Sequence, residues 1–183
     1  RKMAKQLFIM IGAPGSGKST WVKRQLRPDI DAYVSRDEIR FSILQEGDAY
    51  FKYEDEVFDT FTEQIAMYLN DTNDIYRVFA DASHLNYSSR MKLLNALKAK
   101  GVNLNLININ YIYMFTSLET CLKRNKNREG RALVPEKTII EMYKSLREPE
   151  ADEPVKNVYI VNEHRQCIDI KFMNAKDTNN FEF

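Results

Sequence analysis

The chain has 183 residues, 44% of them hydrophobic, and its 27 basic residues nearly balance its 26 acidic ones. This length accommodates one well-packed domain and is short for two. A formal net charge of +1 excludes a protein that attracts nucleic acid through a global positive field, so any such site must be local.

The cysteines and the lengths of the apolar runs indicate where the protein works. Cys121 and Cys167 lie far apart in apolar settings, which favours buried, reduced thiols over a disulfide or a metal site. The sequence contains no apolar run of the roughly 18 residues that a membrane span needs. We therefore expect a cytoplasmic protein that does not engage a membrane.

A glycine-rich segment lies between a predicted strand, residues 7–11, and a predicted helix, residues 20–26. This order of strand, loop and helix is typical of a phosphate-binding P-loop, in which backbone N–H groups and the helix N-terminus face one anion. Lys18 adds a mobile cation, and Ser19 adds a hydroxyl suited to Mg²⁺. The predicted residues that bind ATP or GTP are Gly12, Ala13, Pro14, Gly15, Ser16, Gly17, Lys18, Ser19 and Thr20.

The next two predicted strands are followed by carboxylates. An apolar run at residues 32–34 leads to Asp37, and a second run at residues 75–80 leads to Asp81. Open α/β sheets bind ligands at the carboxyl ends of their strands, so both acids are candidate site residues. Between them, residues 53–69 place apolar side chains at helical spacing, which we interpret as core packing.

The following segments continue the alternation of helix and strand. We predict a helix capped by Ser88 or Ser89 that runs to residue 100 and is closed by Gly101. Residues 103–113 give a strand signal, and residues 117–126 give a helical one.

The C-terminal part contains a basic segment, residues 125–131, and a predicted helix that starts at Pro135 and runs to about residue 147. Two β-rich runs follow, at residues 158–161 and 168–172. Strands alternating with helices indicate an α/β domain with a mostly parallel sheet and helices on both faces. We predict a single domain over residues 3–173. The polar tail, residues 174–183, is expected to fray.

The P-loop alone does not separate kinases, GTPases, motor ATPases and passive nucleotide binders. The chain has no Asn-Lys-x-Asp guanine signature, and Asp81, which directly follows its predicted strand, is followed by Ala82 and so lacks the Asp-Glu pair usual in ATPases that activate water. Both absences argue against GTPases and motor ATPases.

A phosphoryl transferase accounts for Asp37, for Arg40 three residues later, and for a basic cluster. A carboxylate can deprotonate an acceptor hydroxyl, and cations can meet the charge of the transferring group. On the alternative interpretation, Asp37 caps a helix at residues 38–44 and the cluster is a solvated loop. The cluster comprises Lys123, Arg124, Lys126, Arg128 and Arg131.

Further motifs follow the P-loop in order, up to residue 148. They are Arg36-Asp37-Glu38-x-Arg40, Leu122-Lys123-Arg124-Asn125 with Arg128, Val134-Pro135, and Met142-Tyr143-Lys144-Ser145-Leu146-Arg147-Glu148. With the P-loop, they resemble the kinase domain of phage-type 5′-hydroxyl polynucleotide kinases, which move the γ-phosphate of ATP to the 5′-hydroxyl of DNA or RNA. The resemblance implies a P-loop kinase fold with an Arg-rich lid, and nucleic-acid 5′ ends as partners.

On the donor side, the resemblance implies that ATP is the phosphate donor and that Mg²⁺ is its cofactor. By position, Lys18 binds phosphate and Ser19 binds Mg²⁺. Arg124 and Arg128 belong to a lid over the phosphates.

On the acceptor side, the resemblance implies that Asp37 is the general base and that Arg40 lies in the acceptor site. Where the family commonly has Asp-Thr-Asn after its third strand, this chain has Asp81-Ala82-Ser83-His84. Asp81 carries over, whereas His84 is either a substrate contact or a structural residue. The candidate substrate residues are Arg36, Arg40, Asp81 and His84.

Two other functions remain open. A small-molecule kinase on the same scaffold, acting on a nucleoside, sugar or antibiotic, predicts an enclosed acceptor pocket. A non-catalytic nucleotide-binding switch predicts that Asp37 is only a helix cap. The chain has no Asp-x-Asp-Gly-Thr motif, so it lacks the 3′-phosphatase that is joined to the phage enzyme.

Overall fold

The computed structural model describes residues 3–70 and 72–172. The predicted tail, residues 174–183, lies outside this part of the chain. The strands are β1 (Gln6–Ile11), β2 (Asp31–Ser35), β3 (Arg77–Asp81), β4 (Asn108–Phe115), β5 (Asn157–Asn162) and β6 (Cys167–Phe172).

These strands form a six-stranded sheet in the order β2-β3-β1-β4-β5-β6. Neighbours among β1 to β5 are parallel, and β6 runs antiparallel to β5. The predicted α/β fold with a mostly parallel sheet is confirmed. Because parallel strands end at the same edge, the loop after β1 lies beside the ends of β2 and β3, where Ser35 pairs with Asp81.

Helices cover both faces of this sheet. In β1, Leu7, Ile9 and Ile11 pack into the core that contains α3 and α4, whereas Phe8 and Met10 pack with α1, because successive side chains point to opposite faces. None of the helices in the described ranges combines the length and apolar character of a membrane span. The helices are α1 (Lys18–Gln25), α2 (Arg36–Ile43), α3 (Glu54–Asn70), α4 (Tyr87–Ala99), α5 (Leu118–Lys126) and α6 (Glu136–Ser145).

Two predicted boundaries are wrong because polar side chains start turns there. Asn86, and neither predicted serine, is the N-cap of α4; its side chain accepts from the backbone N–H of Ser89, which completes a capping box. Asn103 likewise accepts from the backbone N–H of Asn105, so the chain forms a 3₁₀ turn at Leu104–Leu106 before β4 begins.

The prediction for the cysteines holds for one of them. Cys121 is buried, but Cys167 is exposed, because it begins β6 at the edge of the sheet. Both thiols are free.

A buried ion pair that no sequence pattern indicated joins α4 to the segment before β5. The side chains of Arg90 and Glu153 are fully buried and make hydrogen bonds of 2.7 and 3.0 Å. Glu153 also accepts from the Tyr111 hydroxyl at 2.9 Å and from the backbone N–H of Glu150 at 2.6 Å. Arg90 donates to the His84 carbonyl at 3.0 Å, so the pair anchors the loop that follows β3.

We predict that Glu153→Gln lowers the free energy of unfolding by about 3–5 kcal/mol, because it leaves the Arg90 charge buried and uncompensated. Urea unfolding followed by circular dichroism measures the change. As a control, Asp59→Asn removes the exposed partner of Lys100 and should change stability by less than about 0.5 kcal/mol. Equal effects of the two substitutions would show that the buried pair does not anchor the fold.

Candidate active site

The P-loop joins β1 to α1 through backbone conformations that glycine adopts most readily. Gly15 and Gly17 have φ angles of 85° and 94°, and Gly17 is the N-cap of α1. A Cβ atom at Gly15 would lie 2.4 Å from the carbonyl oxygen of Cys121 in α5. The strand, loop and helix expected from the sequence are therefore present, with α5 packed against the loop.

Lys18 is held at the P-loop by main-chain acceptors. Its Nζ donates to the carbonyls of Gly12 at 2.7 Å and Ala13 at 3.1 Å. Burial lowers the pKa of Lys18, and the negative charges of Asp81 and Asp37 oppose this shift. The ammonium group thus lies at the loop and interacts electrostatically with both candidate carboxylates.

Asp81 accepts hydrogen bonds from two hydroxyl groups at the end of β3. Ser19 Oγ donates to Asp81 Oδ2 at 2.9 Å, and the Tyr33 hydroxyl donates to the same oxygen. Burial raises the pKa of Asp81, and the Lys18 charge opposes that shift. Burial also raises the pKa of Tyr33, with the Asp81 charge adding to it, which keeps Tyr33 a donor. Hydroxyl and carboxylate oxygens are the ligands that Mg²⁺ prefers, so Ser19 and Asp81 fit a magnesium site.

Asp37 lies in the first turn of α2 but does not cap it. The N-cap is Ser35, whose side chain accepts from the backbone N–H of Glu38 at 3.2 Å. The alternative interpretation of Asp37 as the cap is therefore wrong. Its side chain is 54% exposed, and Oδ1 accepts hydrogen bonds from the Tyr50 hydroxyl at 2.8 Å and from Arg40.

Glu54 pairs with both predicted arginines of the acceptor site. Arg40 donates to its two carboxylate oxygens at 2.8 and 3.0 Å, and Arg36 donates to Oε2 at 2.9 Å. Burial lowers the pKa of Arg36, and the negative charge of Glu54 opposes this shift. For Arg40, burial acts to lower the pKa, but hydrogen bonds to Glu54 and nearby negative charge raise it overall. Sequence reasoning missed Glu54 because it belongs to a helix that was interpreted as core packing.

The two predicted lid arginines differ in their contacts. Arg128 lines the cleft described below, whereas Arg124 is not among its lining residues. Arg124 donates instead to the Gly15 carbonyl at 3.4 Å and to the Glu163 carbonyl in the turn between β5 and β6. A lid formed by both arginines stays a prediction.

A cleft with a volume of about 290 Å³ lies between the P-loop and α2. It brings together most of the candidate residues from four separate segments of the chain. Among its lining residues are Lys18, Ser19, Arg36, Asp37, Arg40, Tyr50, Phe51, Glu54, Asp81, His84 and Arg128.

His84 is a neutral, buried residue in the wall of this cleft. Its backbone has φ 43°, and its Nδ1 lies 2.7 Å from the Met10 carbonyl oxygen, so Nδ1–H donates. Burial lowers the pKa of His84 to about 3; the bond to Met10 opposes this shift, and the charges of Arg36 and Lys18 add to it. His84 therefore holds the loop after β3 against β1 and carries no charge at neutral pH.

A family model described as an AAA domain matches residues 7–149, most of the sheet and the whole cleft. The chain belongs to this AAA domain family. The P-loop, Asp37, Asp81 and Arg128 all fall within the matched range.

Solved structures similar to this AAA domain show the P-loop kinase fold. A chain of the Pnkp1/Rnl/Hen1 RNA repair complex matches with a TM-score of 0.61 and 21% identity, over 80% of this chain and 45% of that one. A fungal RNA kinase matches with a TM-score of 0.60 and 14% identity, over 87% and 75%. A sugar kinase from Janibacter sp. HTCC2649 matches with a TM-score of 0.57 and 16% identity, over 89% and 87%.

These comparisons confirm the predicted fold. At such identities the likeness concerns the fold, which occurs in both nucleic-acid and sugar kinases. The chain spans less than half of the length of the RNA repair chains that it matches.

We predict that burial of His84 makes the protein lose stability in mild acid. Below the ordinary pKa of 6.5 the unfolded state binds a proton at this histidine, but the folded state does not until about pH 3. Unfolding is therefore favoured as the pH falls from about 6.5 towards 3, by at most about 1.4 kcal/mol per pH unit. His84→Asn, which tolerates positive φ, should remove this part of the pH dependence.

Urea unfolding at a series of pH values between 7.5 and 4.5 measures the difference in slope between the two proteins. His164→Asn, at an exposed histidine in the turn after β5, is the control and should retain the wild-type slope. Parallel stability curves for wild type and His84→Asn would contradict the prediction.

Proposed function

We propose that this AAA domain protein is an ATP-dependent kinase that transfers the γ-phosphate to the 5′-hydroxyl end of DNA or RNA. The observation that carries the proposal is the position of Asp37, a half-exposed carboxylate that shares one cleft with Lys18 and Ser19 of the P-loop. A fungal RNA kinase among the structures of the same fold adds support.

The donor wall of the cleft, formed by the P-loop with Lys18 and Ser19 and by Asp81 and Arg128, suits the phosphates of ATP. Backbone N–H groups of the P-loop and the N-terminus of α1 point towards a bound anion. Lys18 and Arg128 would stabilise the negative charge that shifts during transfer.

Ser19 Oγ and the Asp81 carboxylate would hold Mg²⁺. The ion, when bound, neutralises phosphate charge in phosphoryl transfer. Tyr33 contributes by fixing the orientation of the Asp81 carboxylate through its hydroxyl. The role of each residue in this site is part of the proposal.

The acceptor wall of the cleft suits deprotonation of an alcohol. It is formed by Arg36, Asp37, Arg40, Tyr50, Phe51 and Glu54. Both side-chain hydrogen bonds to Asp37 end on Oδ1, so Oδ2 would take the proton of the 5′-hydroxyl. The hydroxyl oxygen then forms a bond to the γ-phosphorus while the bond from that phosphorus to the β,γ-bridging oxygen breaks, and ADP leaves. Tyr50 and Arg40 would hold the Asp37 carboxylate in one orientation for this task.

A small-molecule kinase is the second candidate, and the pairing at Glu54 favours it. A polynucleotide presents phosphates beyond its terminal nucleoside, but Arg36 and Arg40 are already compensated by a carboxylate. A sugar kinase shares the fold. The non-catalytic switch predicts that Asp37 is only a helix cap, whereas Ser35 caps α2.

Labelled ATP and a panel of acceptors test the proposal. We expect transfer to a 5′-hydroxyl oligonucleotide and none to the same oligonucleotide with a 5′-phosphate. Because the acceptor-wall arginines are compensated, few phosphates should be neutralised; one or two would give a slope of log kcat/KM against log salt of about −0.7 to −1.4. A higher kcat/KM for a nucleoside or a sugar than for any oligonucleotide, without salt dependence, would replace the proposal with the second candidate.

A further inference from the structure

Tyr50 and Phe51 give the acceptor wall an aromatic surface, of which the proposed reaction uses only the Tyr50 hydroxyl. They lie in the loop between α2 and α3, and both line the cleft. Their ring centroids are 4.7 Å apart, with an angle of 84° between the planes. Phe51 is 48% exposed, so one of the largest apolar side chains in the cleft is accessible to a ligand.

These rings are fixed relative to the proposed base. The Tyr50 hydroxyl donates to Asp37 Oδ1 at 2.8 Å. The Arg40 guanidinium lies 4.4 Å from the Tyr50 ring centroid and 5.6 Å from the Phe51 ring centroid. Because Glu54 holds Arg40 through two hydrogen bonds, the aromatic rings and the carboxylate belong to one connected network.

The charges of this wall argue against recognition by phosphate contacts alone. Arg36 and Arg40 share the Glu54 carboxylate, and Asp37 adds a second negative charge. Phe51 offers an exposed aromatic surface in the same cleft as Asp37. Nucleobases stack on aromatic side chains with little dependence on base identity, since every base has a π-face.

We propose that Phe51, supported by Tyr50, stacks on the nucleobase of the acceptor's 5′-terminal nucleotide while the 5′-hydroxyl of that nucleotide reaches Asp37. This inference rests on the proposed function. In one nucleotide only the sugar separates the base from the 5′-oxygen, which suits a pair of rings that is joined to the carboxylate through the Tyr50 hydroxyl. The acceptor class is therefore a nucleic-acid end whose terminal base is unpaired.

The test compares two oligonucleotides of the same sequence and length, both with a 5′-hydroxyl. One has a normal 5′-terminal base, and the other has an abasic 5′-terminal residue. For the wild-type protein, kcat/KM should be about 5- to 150-fold lower with the abasic acceptor, the range expected for one stacked base. With the normal acceptor, kcat/KM of Phe51→Ala should be lower than that of the wild-type protein by a similar factor. With the abasic acceptor, the two proteins should have almost the same kcat/KM.

Phe51→Trp keeps a stacking surface and should retain most of the wild-type preference for the normal acceptor. Leu106→Ala, at an exposed apolar residue that precedes β4 on the opposite edge of the sheet, should behave as wild type. The KM for ATP should be unchanged in all three variants. If Phe51→Ala has a lowered melting temperature, Phe51→Leu takes its place in the comparison.

The outcomes separate the two proposals. If the wild-type protein labels both oligonucleotides equally, or if Phe51→Ala lowers both by the same factor, stacking on Phe51 is wrong and the proposed function stands. If the wild-type protein labels neither oligonucleotide, the proposed function fails and this inference fails with it.

Discussion

The carboxylate of Glu54 determines what the acceptor wall of the cleft can do. It ties α3 to α2 through Arg36 and Arg40, and Arg40 in turn contacts Asp37 and the ring of Tyr50. The Arg40 side chain is only 5% exposed, and a buried guanidinium without a carboxylate partner would be costly. The pairing therefore permits the arginine to be buried and at the same time compensates its charge. In the proposed reaction, Asp37 and the aromatic rings are then the groups that meet an acceptor.

The donor wall depends on a different constraint, the shared edge of the parallel strands. The P-loop follows β1, and Asp81 ends β3, so Lys18, Ser19 and Asp81 meet without any long loop. The loop after β3 is held from two sides, by His84 on the Met10 carbonyl and by Arg90 on the His84 carbonyl. Rigid support of this kind allows buried charges to face one another with little reorganisation.

Much of the fold could be predicted from the sequence because its signals are local. Glycines at fixed spacing locate the P-loop, and the apolar periodicity locates the strands and helices, including the strand that ends at Asp81. The partners of the charged residues could not be predicted in this way. Glu54 follows Arg40 by 14 residues and Glu153 follows Arg90 by 63, and neither pairing leaves a pattern in the sequence. The caps Ser35 and Asn86 were missed because several polar residues compete for each helix start.

The central claim is that Asp37 and the P-loop act in one phosphoryl transfer. Single-turnover transfer from labelled ATP to a 5′-hydroxyl oligonucleotide, measured for Asp37→Asn, tests it most directly. The amide keeps the acceptor for Tyr50 and Arg40 but cannot take the proton, so the rate should fall about 10²-fold or more while ATP still binds. Glu38→Gln, at the neighbouring position on α2, should transfer phosphate as fast as wild type. A near-normal rate for Asp37→Asn would show that Asp37 is not the base and would contradict the account.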